Sequence, residues 1–312
     1  MTLQTYDLII LGGGPAGLTA GLYAHRAGLN VLILGGETPG GQVTLHYRVE
    51  NYPGFPGGVT GAELMMGWIK QVMDEMGAMP TPESVTRVDF SHRLKEVFTP
   101  LGSYGSRAVI VATGSSPKEL RVPGESELSG KGVFYCATCD APLLRNMDRQ
   151  RAAVVGGGDT AFHTALALLP HAETVTVITR GPEPKAMPVL VDRFGQDPKA
   201  KIVTESSVRA VMGEDAVTGL ALEHAGSAKE ETIPFDAVFV GVGMSPATGF
   251  LEGSLRLNDD GFIITNNLLE TSVSGVFAAG DVRETTLRQI ITAAADGALA
   301  AHRAAQYIRI EC

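Results

Sequence analysis

The stretch that decides the fold reads LIILGGGPAG and spans residues 8–17. Its apolar first part predicts a buried strand, and residues 18–27, which are rich in Ala and Leu, predict a helix directly after the glycines. In such a unit Gly12 permits the tight turn, Gly14 lets the backbone approach a pyrophosphate, and Gly17 lets helix and strand pack closely. The spacing therefore predicts a dinucleotide-binding turn at the N-terminus of a helix.

The residues after this helix complete the pattern. A second apolar strand is predicted at 31–34, and Glu37 lies 20 residues after Gly17. A carboxylate at that distance can accept hydrogen bonds from ribose hydroxyls. We therefore predict a complete nucleotide-binding unit in preference to a glycine-rich turn without function.

The same pattern recurs in the middle of the chain. A predicted strand at 152–155 leads into GGGDTA at 156–161, in which alanine takes the place of the third glycine. An alanine-rich helix to about residue 169 and a strand at 174–179 follow. The sequence thus predicts a second dinucleotide-binding unit.

The residue after that last strand differs between the two units. Arg180 stands where the first unit carries Glu37, and Lys185 lies close behind. A cation at this position favours the 2′-phosphate of NADP over the free hydroxyl of NAD. The alternative is that Arg180 is a solvated surface arginine.

Other predicted elements indicate where the chain passes between domains. Strands at 107–113 and 237–241 each lead to glycine, and a buried strand at 275–281 ends in Asp281 before a long helix at 287–307. A strand that ends in Gly-Asp suggests a ligand contact.

We predict an α/β fold of two Rossmann-like domains, each with three layers (ββα), the second inserted into the first. Residues 1–117 and 247–312 form the discontinuous first domain, and residues 118–246 form the second. Hinges are expected near 116–120 and 245–248. A chain of 312 residues is long enough for two such cores.

Composition narrows the class of partner. A formal net charge of -9 argues against an electrostatic grip on nucleic acid or anionic lipid. No uninterrupted apolar run reaches the roughly 18 residues of a membrane span. With only 3 cysteines the chain is no secreted disulfide scaffold, and we expect a cytoplasmic protein.

Two of the cysteines, Cys136 and Cys139, form a C-x-x-C motif. Such a motif has three interpretations: half of a zinc site, a redox dithiol, or two unrelated buried cysteines. Zinc needs further ligands that the sequence does not supply, so no metal is expected, and the two-residue spacer lets the sulfurs meet. Asp140 could exchange protons with the thiols or merely cap a turn. The terminal Cys312 is expected to be idle.

Nearly the whole chain resembles the bacterial low-molecular-weight thioredoxin reductases. The motifs that carry the resemblance are Gly12 to Gly17, Gly40-Gly41-Gln42, Val49 to Gly54, Ala112-Thr113-Gly114, Cys136 to Asp140, Gly156 to Ala161, Gly243 to Pro246, and Gly275 to Val282 with Arg288-Gln289.

The resemblance implies that the first domain binds FAD and that the second, which carries the cysteines, resembles an NAD(P)H-binding domain. The implied FAD ligands are Gly12, Gly14, Pro15, Ala16, Gly17, Glu37, Gly41, Gln42, Asn51, Ala112, Thr113, Gly114, Gly280, Asp281, Arg288, Gln289 and Ile290. The positions that match NADPH ligands are Gly156, Gly158, Asp159, Thr160, Arg180 and Lys185.

The resemblance also implies roles for the residues of the redox motif. Cys139 would lie nearer the isoalloxazine, Cys136 would attack the disulfide of thioredoxin or a thioredoxin-like protein, and Asp140 would act as acid and base. In that family the inserted domain rotates during turnover, and the enzyme is a homodimer.

Departures from the family pattern fall in the second unit. Members that use NADPH usually show two adjacent arginines after the second strand, whereas this chain has Arg180-Gly181 and then Lys185. Phe162-His163-Thr164 stands where acidic residues are usual, and Ala141 replaces a glycine. We therefore hypothesise that NADPH is used poorly or not at all, with electrons entering from another donor such as a small redox protein.

The sequence as a whole predicts an FAD-dependent thioredoxin-disulfide reductase. Two alternatives stay open at this point. One is a flavoprotein of the ferredoxin-NADP reductase type, which would not need the cysteine pair. The other is a non-catalytic flavin-binding redox sensor.

Overall fold

The structure is a computed structural model that describes residues 3–45, 49–146, 150–227, 230–251 and 253–311. The chain divides into two compact units, residues 1–116 with 245–312 and residues 117–244. These boundaries differ by one or two residues from the predicted ones. Cys312 lies outside the described residues. No described helix is long and apolar enough to cross a bilayer.

The first unit is built on a six-stranded sheet. Its strands are β1 (Gln4–Leu11), β2 (Val31–Leu34), β3 (Arg87–Asp89), β4 (Lys95–Thr99), β5 (Gly102–Val111) and β16 (Val276–Ala278). The order is β2-β1-β5-β4-β3, and β16 also pairs with β5. β2, β1, β5 and β16 run parallel, whereas β3 and β4 form an antiparallel extension.

Alternate residues of β1 point to opposite faces of this sheet. Leu8 and Ile10 belong to the core under the helices, and Ile9 and Leu11 belong to the core on the other face. All four side chains are fully buried. A central parallel strand that is covered on both faces is apolar throughout, which explains the run LIIL.

Three helices belong to the first unit. They are α1 (Pro15–Arg26), α2 (Gly61–Met76) and α6 (Ile290–Glu311). Local sequence explains the bounds of α2: Thr60 and Glu63 form a capping box at its start, and Gly77 ends it with a φ of 66°. α6 begins three residues later than predicted, because a 3-10 turn and an irregular segment precede it.

The second unit has a five-stranded sheet in the order β10-β9-β8-β14-β7. Its strands are β7 (Val133–Phe134), β8 (Arg151–Val155), β9 (Thr174–Ile178), β10 (Ala200–Val203) and β14 (Ala237–Val240), and all pairs are parallel. Helices α3 (Ala137–Asp140), α4 (Asp159–Leu168) and α5 (Pro188–Gly195) belong to the same unit. A separate antiparallel sheet consists of β11 (Ser206–Gly213), β12 (Val217–His224) and β13 (Glu230–Pro234).

These parts stack as three layers. One face of β8 packs with α4 and α5 through Ala152 and Val154, and the other packs with the antiparallel sheet through Ala153 and Val155. The layers are therefore sheet, sheet and helix. The two connections between the units, β6 (Ser115–Pro117) and β15 (Met244–Pro246), pair as a two-stranded sheet.

Candidate dinucleotide and redox sites

The first glycine turn has the backbone that a bound pyrophosphate needs. Gly12 has a φ of 119°, and a Cβ there would overlap the carbonyl oxygen of Ala112. A Cβ on Gly17 would overlap the carbonyl oxygen of Gly12. Gly14 is different, since its added Cβ would meet nothing within 4 Å. Gly12 and Gly17 are thus required by the fold, whereas Gly14 leaves an open surface.

The N-terminus of α1 lies at this open surface. Gly14 is the N-cap and makes no side-chain cap, Pro15 is the first helical residue, and no acidic side chain occurs in the first turn. Free N–H groups and the helix dipole favour an anion at such an end. The site therefore fits the pyrophosphate of FAD.

Other predicted FAD residues gather around the turn. A Cβ on Gly41 would lie 3.2 Å from the Cα of Gly14. Ala112 hydrogen-bonds to Leu11 at the end of β1, and Thr113 continues the same segment by donating to the carbonyl of Ala247 at 2.8 Å. Three predicted residues lie close to these in sequence: Glu37 and Gln42, both exposed, and Gly114.

A second group joins residues that are far apart in sequence. The Asn51 amide donates to Oε1 of Gln289 at 2.8 Å. Asp281 lies in a 3-10 turn that begins at Gly280, and burial raises its pKa to about 6 although the charge of Arg288 opposes the rise. The guanidinium of Arg288 stacks on Phe262 at 4.1 Å.

One atom of this group lacks a partner among the described residues. Nε of Arg288 is buried and makes no hydrogen bond there. Buried donors are normally satisfied, so an unsatisfied one is consistent with a ligand acceptor such as FAD. Ile290, the last predicted residue of the segment, is the first residue of α6.

Sequence reasoning missed the pair that supports this turn. Asp296 on α6 accepts a hydrogen bond from the N–H of Gly280 at 3.0 Å and forms an ion pair with Nε of Arg283 at 2.7 Å. Both side chains are mostly buried. Gly280 and Arg283 belong to the same turn, but Asp296 approaches them only in the fold, and no local sequence pattern predicts this ion pair.

The second glycine turn has a similar shape. Gly156 has a φ of 146°, and its Cβ would overlap the carbonyl oxygen of Gly241. Gly158, the N-cap of α4, is open. The carboxylate of Asp159 accepts the N–H of Met187 at 2.7 Å, so the loop after β9 folds back to the turn. Thr160 is the second residue of the helix.

Arg180 and Lys185 lie on that loop, and both are exposed. The N–H of Lys185 donates to the carbonyl oxygen of Gly157 at 2.7 Å, which holds its backbone beside the turn. Within the described part of the chain neither side chain makes an ion pair. Both cations are therefore available to a phosphate near the turn.

The redox motif begins two residues after the end of β7. Cys136 is half-buried and disulfide-bonded. Cys139 lies in the short helix α3, and its side chain is outside the described part of the chain. The N–H of Asp140 donates to the carbonyl oxygen of Cys136 at 2.9 Å.

The carboxyl of Asp140 has a shifted pKa. Burial raises it to about 6, opposed by the hydrogen bond to the Cys136 backbone. A carboxyl with such a pKa can both give and take protons near neutral pH. Such a group can supply or remove the protons that accompany thiol–disulfide exchange.

Comparisons with known proteins identify the family to which the chain belongs. The family model for pyridine nucleotide-disulphide oxidoreductases matches residues 6–297. A thioredoxin reductase from Peptoclostridium litorale is 39% identical over 311 residues, covering 98% of each chain. The crystal structure of a thioredoxin reductase from Streptococcus pyogenes has a TM-score of 0.89 at 37% identity and covers 99% of both chains.

A third similar structure has a name that includes a further redox protein. The crystal structure of a ferredoxin-flavin thioredoxin reductase from Clostridium acetobutylicum is 28% identical, with a TM-score of 0.53 and 99% coverage of both chains. Together the comparisons confirm the predicted fold class and the resemblance carried by the motifs. The chain belongs to the pyridine nucleotide-disulphide oxidoreductase family, among its thioredoxin reductases.

Proposed function

We propose that the protein is an FAD-dependent thioredoxin-disulfide reductase whose redox pair is Cys136 and Cys139. The observation that carries the proposal is the disulfide-bonded Cys136, two residues after the end of β7, followed by Asp140, whose carboxyl has a pKa raised by burial. Its relatives are named thioredoxin reductases. A ferredoxin-NADP reductase or a non-catalytic sensor is not favoured, because neither needs the dithiol.

We propose the first unit as the FAD-binding domain. The open N-terminus of α1 would hold the pyrophosphate, Glu37 would bind a ribose, and Asp281 with the segment from Arg288 to Ile290 would lie along the flavin half. FAD supplies an electron pair to the enzyme disulfide when it is bound. The protein's contribution is to bind and orient that group.

The cysteines then carry out two exchange steps. The Cys136 thiolate attacks the thioredoxin disulfide, so that a mixed disulfide forms and one thioredoxin thiolate leaves with a proton from Asp140. Cys139 next attacks the sulfur of Cys136, which restores the enzyme disulfide and releases the second thiolate, protonated from solvent. Two electrons and two protons have then passed to thioredoxin.

The electron donor to the flavin depends on the second unit. The second unit keeps an open glycine turn, but the loop after β9 offers only Arg180 and Lys185 as cations for a 2′-phosphate. We expect weak use of NADPH, and a small redox protein is the second candidate, which the similarity to a ferredoxin-flavin thioredoxin reductase supports. Anaerobic mixing of the oxidised enzyme with NADPH decides between them, since rapid bleaching of the flavin would contradict the second candidate.

We also propose a cytoplasmic homodimer. The low cysteine content supports a reducing compartment, and the family resemblance supports the dimer. Sedimentation of the purified holoenzyme tests the assembly, and a monomer at micromolar concentration would contradict it.

Replacement of single cysteines tests the activity. Cys136→Ser and Cys139→Ser should each abolish reduction of thioredoxin while the protein still binds yellow FAD. Cys312→Ser is the matched control and should keep full activity. Retained turnover in both of the first two variants would contradict the proposal.

A further inference from the structure

Glu125 is a carboxylate buried in the second unit, with 3% of its surface exposed. Its Oε1 accepts the N–H of Leu120 at 2.8 Å and the hydroxyl of Tyr135 at 3.0 Å. Its Oε2 accepts the N–H of Arg121 at 2.7 Å. Among the described residues no cationic side chain forms an ion pair with it. Three neutral donors therefore satisfy a buried charge.

The backbone at two of these donors is specialised. Arg121 has a φ of 60°, which few residues with a side chain adopt. This conformation turns two successive N–H groups toward one anion. A left-handed residue persists where its surroundings compensate for the strain. The carboxylate of Glu125 supplies that compensation.

The third donor connects this turn to the redox motif. Tyr135 directly precedes Cys136 and follows β7, whose residues Val133 and Phe134 pair with β14. Burial, together with the negative charge of Glu125, raises the pKa of Tyr135 above its ordinary value. The hydroxyl therefore stays protonated and continues to donate.

We propose that Glu125 is a positioning residue for the redox pair. Its carboxylate ties the segment by which the chain enters the second unit, at Leu120 and Arg121, to the residue before Cys136. The clamp holds the backbone of Cys136 so that its sulfur meets both the sulfur of Cys139 and the target disulfide in line. Exchange depends on such alignment, and a displacement of about 1 Å can slow a reaction about a hundredfold. The inference rests on the proposed function.

Glu125→Gln is the discriminating variant. Glutamine keeps the shape but turns an NH2 group toward a donor, so at least one hydrogen bond is lost. Tyr135→Phe removes one donor and leaves both backbone hydrogen bonds in place. Glu127→Gln is the matched control, because it removes a negative charge from an exposed glutamate two residues away.

The assay starts from holoenzyme that has been reduced anaerobically with dithionite, so it does not depend on the natural donor. One portion is mixed with oxidised thioredoxin, whose reduction needs the dithiol, and another with ferricyanide, which takes electrons directly from the flavin. For Glu125→Gln we expect flavin re-oxidation by thioredoxin to slow by about tenfold to a hundredfold. The ferricyanide rate should stay within about twofold, Tyr135→Phe should show a smaller loss in the thioredoxin arm alone, and Glu127→Gln should match the wild type.

Three results would overturn the inference. The first is an unchanged thioredoxin rate in Glu125→Gln, and the second is an equal loss in both arms, which indicates damage to the fold alone. If Glu125→Gln does not fold, Tyr135→Phe decides, and an unchanged thioredoxin rate in that variant is the third. Failure of the wild type to reduce thioredoxin is a separate outcome, because it overturns the proposed function and the inference together.

Discussion

Replacing Asp140 by asparagine should make the protein more stable, and the gain should grow with pH. Burial raises the pKa of this carboxyl from its usual value of 3.8 to about 6. The folded protein therefore binds the proton more tightly than the unfolded chain does. Stability is lost as the pH rises through this interval, because the ionised carboxylate is poorly solvated in the fold. Asparagine has a similar shape and no titratable proton, so it stays neutral over the whole pH range.

The size of the effect follows from the shift. Each pKa unit corresponds to about 1.4 kcal/mol, so full ionisation of Asp140 costs about 3 kcal/mol. At about pH 5 the fold still holds most of the proton, and the cost is about 1.5 kcal/mol. The stability difference between Asp140→Asn and the wild type should thus grow by about 1.5 kcal/mol from pH 5 to pH 8.

Urea denaturation of the oxidised holoenzyme, followed by far-ultraviolet circular dichroism, measures this difference. Asp140 lies in the second unit and Trp68, the only tryptophan, lies in the first, so tryptophan fluorescence alone would not report the change. Asp215→Asn, at an exposed turn of the second unit, is the matched control and should show no such trend. A difference that stays constant between the two pH values would refute the reasoning.

Three further predictions follow from the glycine turns, the cation of the second unit and a helix cap. Gly14→Ala should fold normally yet lose affinity for FAD, whereas Gly12→Ala should destabilise the fold because its Cβ would overlap a carbonyl oxygen. Thermal melts and flavin content distinguish the two variants. Full retention of FAD in Gly14→Ala would contradict the proposed pyrophosphate site. Arg180→Ala should lower the preference for NADPH over NADH by about tenfold in anaerobic flavin reduction, and an unchanged ratio would make Arg180 a plain surface residue. Thr60→Ala should cost about 1 kcal/mol in urea denaturation through loss of the capping box, while an unchanged midpoint would contradict that role.

Features that depend on local chemistry could be predicted from the sequence. The strand before Gly12 follows from a continuous apolar run, and the helix at the glycine turn follows from residues rich in Ala and Leu, although it begins at Pro15 and not after Gly17. The positions of Gly12 and Gly17 follow from a backbone that leaves no room for a Cβ. The C-x-x-C pair was identified by residue type and spacing alone. Such signals lie within a few residues of each other, so one sequence suffices to find them.

Features that depend on the folded environment could not be predicted from the sequence. The predicted ββα layering includes the antiparallel sheet of the second unit, but its individual strands were not located in the sequence, because its edge strands are partly exposed and carry no clear alternation. The helix predicted at 287–307 begins at Ile290. Leu287 is exposed, and the side-chain hydroxyl of Thr292 donates to the carbonyl oxygens of residues 287 and 289. The hydrogen bonds of Glu125 span only four to ten residues, but they depend on a positive φ at Arg121, which no sequence motif predicts.

An anaerobic dithionite titration of the purified FAD holoenzyme tests most directly whether an electron pair moves between the flavin and Cys136 with Cys139. The flavin and the disulfide each take up two electrons, so the wild type should consume roughly four electrons per FAD and Cys136→Ser roughly two. Equal uptake by the two proteins would contradict the account, because the cysteines would then hold no electrons that the flavin can deliver.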